Sequence, residues 1–197
     1  MLKGRRGGDF LKETSGVQKD LRASKLEARG ALAEERVREL SRAVSQAVMG
    51  LPEFAAENVL YSYCPIRNEV DIMPVNLRAL ERGKRVYLPK TSGDDMAFYQ
   101  YSEDTGLSPG PFGVPEPDTA EIYDGSLGIM IVPGVVFSRE GFRIGFGKGY
   151  YDRYLDAHPM IVTVGVAYEF QMEDAFPVKN SDAPIDIIVT EENVYRN

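Results

Sequence analysis

Three short runs in the second half of the chain are apolar almost without interruption, and they constrain the fold more than any other feature. They are LGIMIV (residues 127–132), MIVTVGVA (160–167) and IIVT (187–190). A strand with one face in water alternates apolar and polar residues, so continuous runs of this length indicate strands that are buried on both faces. Such strands belong in the middle of a mainly parallel sheet that is covered by helices.

The rest of the chain supplies the outer strands and the covering helices. Helical spacing of apolar residues predicts helix over residues 17–49, and Gly30 divides it into two helices. Further helices are predicted over residues 73–82 and 150–157. Strands are predicted over residues 58–63, 85–88 and 96–101, which are rich in aromatic and β-branched side chains. The expected fold is therefore an α/β layer fold with a mainly parallel sheet.

The segment from Ser102 to Ser126 carries four prolines and several glycines and resembles a loop. A connection of this length is either a lid over a site or a long surface connection. The sequence alone leaves both interpretations open.

Charge and composition exclude several classes of function. Residues 1–50 hold eleven Lys and Arg against seven Asp and Glu, whereas residues 51–197 hold twelve against twenty-three. An acidic body of this kind argues against nucleic acid as the main partner. A single cysteine (Cys64) and a single histidine (His158) exclude an internal disulfide, a multi-cysteine zinc site and a His-rich metal site. With no apolar run long enough to span a bilayer and no signal-peptide pattern, we expect a cytoplasmic protein without a membrane partner.

The sharpest local feature is the glycine-rich segment GFRIGFGKGYYDRY, residues 141–154. It follows a buried strand and a Pro-Gly turn and precedes a predicted helix. Glycines let the backbone approach a ligand closely, and the free N–H groups at a helix start attract anions. The spacing matches neither a Walker A loop nor GxGxxG. Glycine spacing alone is equally consistent with a tight turn that serves only packing.

The residues around these glycines favour a binding site. Arg143, Lys148 and Arg153 supply positive charge suited to phosphates, and Asp152 supplies a carboxylate suited to Mg²⁺. Two adjacent tyrosines offer flat rings for a heterocycle, although core packing is an alternative for at least one of them.

At this segment the sequence resembles the 5-formyltetrahydrofolate cyclo-ligase family, also called 5,10-methenyltetrahydrofolate synthetase. The family pattern is a Pro-Gly turn followed by G-x-R-hydrophobic-G-x-G-x-G-Y-Y-D, and the chain has PGVVFSREGFRIGFGKGYYDRYL at residues 133–155. Further matching segments are YCPIRNEVDI (63–72), VYLPK (86–90) and DAPIDIIVTE (182–191). The resemblance covers roughly residues 17–192. We therefore expect a single domain over residues 17–197, preceded by an extension over residues 1–16.

The resemblance implies a Rossmann-like α/β fold and an enzyme that uses ATP as co-substrate and Mg²⁺ as cofactor. The implied substrate is 5-formyltetrahydrofolate, which is cyclised to 5,10-methenyltetrahydrofolate with release of ADP and phosphate. Transfer of the terminal phosphoryl group of ATP to the formyl oxygen would make the formyl carbon attackable by the neighbouring folate nitrogen. A monomer is expected, with reduced folate and ATP as the only partners.

The resemblance also implies roles for particular residues. Lys148, Tyr150 and Arg143 are expected to act in catalysis, and Asp152 and Asp186 are expected to bind the metal. Glu69, Cys64, Phe146, Lys148 and Tyr150 are expected to contact the folate. The nucleotide is expected to contact Lys19, Arg22, Arg143, Gly145, Phe146, Gly147, Lys148, Gly149, Tyr150 and Tyr151.

The first helix departs from the family pattern. Relatives typically have a Lys followed four residues later by an Arg, whereas here Lys19 and Arg22 are three apart and Gln18 occupies the earlier position. Lys25 and Arg29 are possible substitutes. Either spacing places the two side chains on one face of a helix.

Two other classes of function remain as alternatives. A sugar-phosphate isomerase or an acyl-CoA transferase would need a dedicated base or nucleophile, for which only Glu69 or Glu140 is suitable. A non-catalytic nucleotide- or RNA-binding module would use the basic residues within 1–29, but the acidic remainder of the chain argues against it.

Overall fold

The computed structural model describes residues 7–123 and 125–197, which form five α-helices and thirteen strands. The helices are α1 (Gly7–Gly30), α2 (Glu34–Met49), α3 (Pro52–Ala56), α4 (Met73–Glu81) and α5 (Tyr150–Ala157). The strands are β1 (Val59–Tyr61), β2 (Arg85–Ser92), β3 (Asp95–Tyr101), β4 (Leu107–Pro109), β5 (Pro115–Pro117), β6 (Ile122–Tyr123), β7 (Ile129–Val132), β8 (Val136–Ser138), β9 (Arg143–Ile144), β10 (Val162–Val166), β11 (Met172–Glu173), β12 (Ile187–Val189) and β13 (Val194–Arg196).

Eight strands form one twisted layer in the order β13-β12-β10-β7-β1-β2-β3-β6. The five central strands, which are β12, β10, β7, β1 and β2, pair in parallel. Strand β13 at one edge and strands β3 and β6 at the other edge pair antiparallel. The three apolar runs form β7, β10 and β12, which lie side by side in the parallel part. The predicted α/β fold with a mainly parallel sheet is confirmed.

Both faces of the central strands are buried because successive side chains point to opposite sides. Leu60 and Ile129 pack on one side against apolar residues of α2, α3 and α4. Their neighbours Tyr61 and Met130 pack on the other side against Tyr154 and Leu155 of α5. This two-sided burial is the reason why these strands lack polar alternation.

A small second sheet contains the beginning of the glycine-rich segment, in strand β9. Strand β8 pairs with β11 in parallel and with β9 antiparallel. Leu21 and Leu26 of α1 pack against its apolar side, on a cluster that includes Val136 and Ile144. Helix α1 is therefore anchored next to the segment that follows β9.

Most element predictions agree with the structure, and two differ. Helix α1 begins at Gly7 and so crosses the boundary predicted at residue 16; residues 1–6 lie outside the described part, and the domain boundary stays a prediction. The proline-rich segment is not purely a loop, because β4 and β5 form a short hairpin within it and β6 joins the main sheet. None of the helices in the described ranges combines the length and the apolar character needed to cross a bilayer.

Candidate functional site

A cleft of about 1070 Å³ lies on the α5 side of the main sheet. Its walls come from the segments that follow β1 and β7, from β2, from the glycine-rich segment with α5, and from residues 179–186. The proline-rich segment also contributes, through residues 111–116, so it covers part of the cleft. The volume suits at least one ligand of the size of a nucleotide or a folate.

The glycine loop joins β9 to the first turn of α5. Gly147 and Gly149 have φ angles of 92° and 67°, which lie in the left-handed region that residues with a side chain rarely adopt. Gly149 is the residue before the helix and offers no side chain to cap it. The first N–H groups of α5 therefore have no side-chain capping partner from that position, and the residues that carry them line the cleft, an arrangement by which helix starts bind anions.

Helix α1 contributes Arg22 to this loop. The Arg22 Nε donates a hydrogen bond of 2.7 Å to the carbonyl oxygen of Gly145, and Arg22 lines the cleft. Lys19 is exposed and is not part of the lining. Lys25 is engaged elsewhere, because its Nζ lies 2.6 Å from a carboxylate oxygen of Glu173. Of the four cations considered in this helix, Arg22 is thus the one that reaches the glycine loop.

Two other residues of α1, Gln18 and Arg29, are buried. Gln18 is buried, lines the cleft and donates from Nε2 to the carbonyl oxygen of Pro177 at 2.9 Å. Arg29 is also buried but lies behind the cleft, where it approaches Glu69.

The mouth of the cleft carries exposed aromatic rings and cations. The Lys148 Nζ lies 5.4 Å from the centre of the Phe112 ring, which projects from the proline-rich segment. The Arg67 guanidinium lies 5.9 Å from the centre of the Phe146 ring. Both rings are about half exposed. Such cation–aromatic pairs at an open mouth are weak, so a ligand can replace either partner.

Tyr150 and Arg153 tie the start of α5 to the turn between β2 and β3. The Tyr150 hydroxyl donates to the carbonyl oxygen of Gly93 at 2.8 Å, and the Arg153 guanidinium donates to the carbonyl oxygen of Asp94. The Tyr150 ring itself lines the cleft. The Tyr150 hydroxyl therefore links α5 to the turn between β2 and β3, while the Tyr150 ring is available to a ligand.

Arg143 and Asp152 form an ion pair inside the site. The Arg143 Nη2 lies 3.0 Å from Asp152 Oδ1, which also accepts a hydrogen bond of 3.4 Å from the backbone N–H of Ala183. The Arg143 side chain is 5% exposed, and burial lowers its pKa while Asp152 raises it. The guanidinium also lies over the Tyr151 ring at 5.4 Å, and burial raises the pKa of that phenol well above its usual range.

Asp186 enters the cleft just before β12. Its Oδ2 accepts two hydrogen bonds from Thr163, one from the backbone N–H at 2.8 Å and one from the hydroxyl at 2.7 Å. Asp152 and Asp186 therefore each have one carboxylate oxygen that accepts hydrogen bonds from the protein. The other oxygen of each carboxylate accepts none from any described residue. Within the described ranges no group of three or more Asp, Glu, His and Cys side chains is placed to hold a metal.

Two residues expected at the folate lie in the segment after β1. Glu69 is buried but lines the cleft, and its Oε2 accepts a hydrogen bond of 3.0 Å from the N–H of Ile66. Burial raises the pKa of Glu69, and nearby Arg29 opposes that rise. Cys64 is a buried wall residue, and burial raises the pKa of its thiol to about 11, so the thiol is not an activated nucleophile.

The structure adds cleft residues that sequence reasoning missed. Glu116 of β5 accepts from the backbone N–H of Thr91 at 2.9 Å and so ties the proline-rich segment to β2. Thr163 had a visible signal, since it is the one hydroxyl in the apolar run that became β10. Gln18 had one as well, because it occupies the family position four residues before Arg22. Arg67 had none, because only the folded chain shows that it lines the cleft. By contrast, Glu140 is exposed in a turn and is not part of the lining.

These features define an α/β protein with one cleft at its parallel sheet. The cleft is lined by a glycine loop, by the ion pair of Arg143 and Asp152, and by Asp186. The model of the 5-formyltetrahydrofolate cyclo-ligase family matches residues 14–191. The chain belongs to this family.

Named relatives agree with this assignment. The chain is 32% identical over 197 residues to a probable 5-formyltetrahydrofolate cyclo-ligase of Schizosaccharomyces pombe, with 90% of the chain and 96% of that protein covered. It is 29% identical over 175 residues to the 5-formyltetrahydrofolate cyclo-ligase of Escherichia coli, with coverages of 85% and 96%.

A solved structure agrees as well. The NMR structure of Aquifex aeolicus 5,10-methenyltetrahydrofolate synthetase superposes with a TM-score of 0.81 at 40% identity and covers 91% of this chain and 92% of that one. The predicted family, and with it the prediction of an enzyme of the cyclo-ligase class, is confirmed.

Proposed function

We propose that the chain cyclises 5-formyltetrahydrofolate to 5,10-methenyltetrahydrofolate, using ATP and Mg²⁺ and releasing ADP and phosphate. The observation that carries the proposal is one cleft that combines a glycine loop at a helix start with the buried carboxylate of Glu69, in a chain of the cyclo-ligase family. One cleft thus offers both a loop suited to the phosphates of ATP and a carboxylate suited to the pterin of a folate. All residues that the proposal uses belong to one chain, so a monomer suffices.

The phosphate groups of ATP fit the glycine loop. The N–H groups at the start of α5 donate to phosphate oxygens, and the flanking glycines leave room for close approach. Lys148 is exposed at the mouth of the cleft and supplies a positive charge there. Arg22 holds the glycine loop through its hydrogen bond to the carbonyl oxygen of Gly145. We assign Lys148 and Arg22 to the phosphates on this basis. Lys19 lies outside the cleft, and its assignment remains a prediction.

The residues also fit a magnesium ion. Asp152 and Asp186 line the same cleft, and each has one carboxylate oxygen that no described residue engages. Mg²⁺ usually takes only one or two protein carboxylates and completes its shell with water and phosphate oxygens, so the lack of a third carboxylate among the described residues agrees with this ion. Bound there, the ion would neutralise charge on the phosphates of ATP. Arg143 would hold Asp152 in place.

The proposed chemistry turns a poor leaving group into a good one. The formyl oxygen on N5 attacks the terminal phosphorus of ATP and ADP leaves. The folate nitrogen N10 then attacks the activated carbon and loses its proton. That attack closes the five-membered ring, and expulsion of phosphate then breaks the carbon–oxygen bond and leaves the methenyl carbon between N5 and N10. The protein contributes mainly by aligning the two substrates and by neutralising phosphate charge, which together account for most of the catalysis in phosphoryl transfer.

The folate side of the site is assigned to Glu69 and the aromatic lining. An ionised carboxylate accepts hydrogen bonds from the amino and N–H groups of a pterin. Phe146 and Tyr150 border both ligands, and Cys64 forms part of the wall. Tyr150 acts through its ring in this assignment, because its hydroxyl is bound to Gly93.

The test is the fate of the formyl oxygen. With ¹⁸O in the formyl group, the proposal predicts that the label appears in inorganic phosphate, with one ADP formed for each methenyl product. Mass spectrometry of the phosphate measures the transfer. Unlabelled phosphate, or cyclisation without ADP, would refute the activation step. A protein that bound ATP without any turnover would instead favour a nucleotide-binding module.

A further inference from the structure

Arg29 lies in the last turn of helix α1 and its side chain is 1% exposed, yet Arg29 is not part of the cleft lining. Three segments meet on it. Its Nε donates to the carbonyl oxygen of Arg67 at 3.1 Å, and its Nη1 donates to the carbonyl oxygen of Gly134 at 3.3 Å. Its Nη2 lies 3.6 Å from Glu69 Oε1. The residue therefore joins the Glu69 loop to the Pro-Gly turn that leads into the glycine-rich segment.

The loop that carries Glu69 needs such support. Arg67 and Asn68 have φ angles of 49° and 58°, an uncommon conformation for residues with a side chain. The Asn68 amide donates to the carbonyl oxygen of Arg29 at 3.1 Å, so Arg29 and the loop hold each other in both directions. Loss of the Arg29 side chain would remove its bond to Arg67 but leave the bond from Asn68 to the Arg29 backbone.

The contact between Arg29 and Glu69 falls short of a full hydrogen-bonded ion pair. At 3.6 Å the separation of Nη2 and Oε1 is too long for a hydrogen bond, and Nη2 bonds to no other residue that the structure describes. Glu69 Oε2 is occupied by the Ile66 N–H, but no described residue donates to Oε1. The cation thus supports the charge of the carboxylate, while Oε1 accepts no hydrogen bond from any described residue.

We propose that Arg29 is a positioning residue for the folate site: it keeps the buried Glu69 carboxylate charged and leaves its Oε1 free to accept hydrogen bonds from the pterin. The inference rests on the proposed function for the identity of the ligand. Arg29 itself does not touch the substrate.

The surroundings of Glu69 identify Arg29 as the main support of its charge. Among the described residues, the charged groups that face Glu69 are Arg29 from α1 and Arg67 from its own loop. The titratable neighbours are the phenols of Tyr63 and Tyr151, together with Tyr168, whose hydroxyl donates to the Glu69 carbonyl oxygen at 3.2 Å. Burial raises the pKa of all three phenols, so they stay neutral. Burial also raises the pKa of Glu69, and the charge of Arg29 is the largest opposing influence. Without Arg29, buried Glu69 takes up a proton at a higher pH.

The test compares Arg29→Met with Glu69→Gln and with the double variant. The dissociation constant of 5-formyltetrahydrofolate is measured without ATP between about pH 6 and about pH 8.5, a range in which a buried glutamate can titrate. For the unaltered protein we expect a change of less than about threefold. For Arg29→Met we expect binding to weaken at least about tenfold as the pH falls, since one pKa unit corresponds to a factor of ten. In the Glu69→Gln background this pH dependence should vanish.

A merely structural role for Arg29 would lower the melting temperature without creating pH-dependent binding, and that result would overturn the proposal. If Arg29→Met does not fold, Arg29→Lys decides. It retains a charge but cannot make both carbonyl contacts, so folate binding should weaken about three- to tenfold while ATP binding does not change. Unchanged folate binding in Arg29→Lys would equally overturn the proposal.

The proposed function and this inference fail in different ways. Binding of 5-formyltetrahydrofolate without turnover refutes the proposed reaction. The dissociation constants of the Arg29 variants still test the role of Arg29 in that case. If the folate does not bind at all, ¹³C NMR of the Glu69 carboxyl group, assigned with Glu69→Gln, still measures its pKa in the free protein. A pKa of Glu69 that Arg29→Met leaves unchanged would overturn the inference.

Discussion

Replacing Asp152 by Asn removes a charge from the site while preserving its shape. The Asp152 Oδ1 accepts from Arg143 Nη2 at 3.0 Å and from the Ala183 N–H at 3.4 Å. An asparagine oxygen can accept both bonds. The substitution therefore leaves the local geometry in place but leaves the buried Arg143 without its carboxylate partner.

The cost to stability can be worked from these contacts. A hydrogen bond to a charged partner contributes about 1.5–3 kcal/mol, and a bond between neutral groups about 0.5–1.5 kcal/mol. Arg143 stays charged and Asp152 is only partly buried, so the expected loss is about 1–2 kcal/mol. For a chain of this size that lowers the melting temperature by about 2–8 °C, which leaves the protein folded at room temperature.

The cost to turnover should be much larger. The second carboxylate oxygen of Asp152 is the proposed magnesium ligand, and loss of its charge should slow methenyl formation about 100-fold or more, with a higher Mg²⁺ requirement. Initial rates against MgCl₂ concentration measure this, alongside thermal unfolding. Asp104→Asn is the matched control, because it removes the same charge from an exposed residue that does not line the cleft. Rates within about threefold of the unaltered protein, with the same Mg²⁺ dependence, would refute the assignment of Asp152.

Three further substitutions test other parts of the site. Lys148→Ala should raise the KM for ATP about tenfold and the KM for folate much less, because Lys148 is assigned to phosphate; equal increases would contradict that assignment. Tyr150→Phe should lower kcat less than about threefold, since the hydroxyl is bound to Gly93; a loss above about tenfold would place the hydroxyl in the chemistry. Cys64→Ala should remain active, and the thiol of the unaltered protein should react slowly with iodoacetamide at neutral pH because its pKa is about 11; rapid inactivation would disprove this.

The main sheet was predictable because burial on two faces leaves a direct mark on sequence. The runs that form β7, β10 and β12 are continuous for that reason, and α5 was predicted with its observed bounds, Tyr150–Ala157. The hairpin of β4 and β5 was not predictable, because its six residues include three prolines and neither strand shows apolar alternation. Its position depends on contacts from distant residues, such as that of Glu116 with Thr91.

The site was predictable only in part. The glycine segment was recognisable because glycines, cations and a carboxylate are contiguous there. Glu69 and Asp186 could be named from the family resemblance, whereas nothing in the sequence indicated that Arg29 lies against Glu69, forty residues further along the chain. Long-range pairing of this kind is created by folding, and helical spacing could not tell which cation of α1 reaches which partner.

The most direct test of the central claim is near-ultraviolet absorbance of the purified protein mixed with 5-formyltetrahydrofolate. The account predicts that the methenyl chromophore grows only when ATP and Mg²⁺ are both present, and that it stops when either is withheld. Growth without ATP, or a flat trace from folded protein with both present, would contradict it.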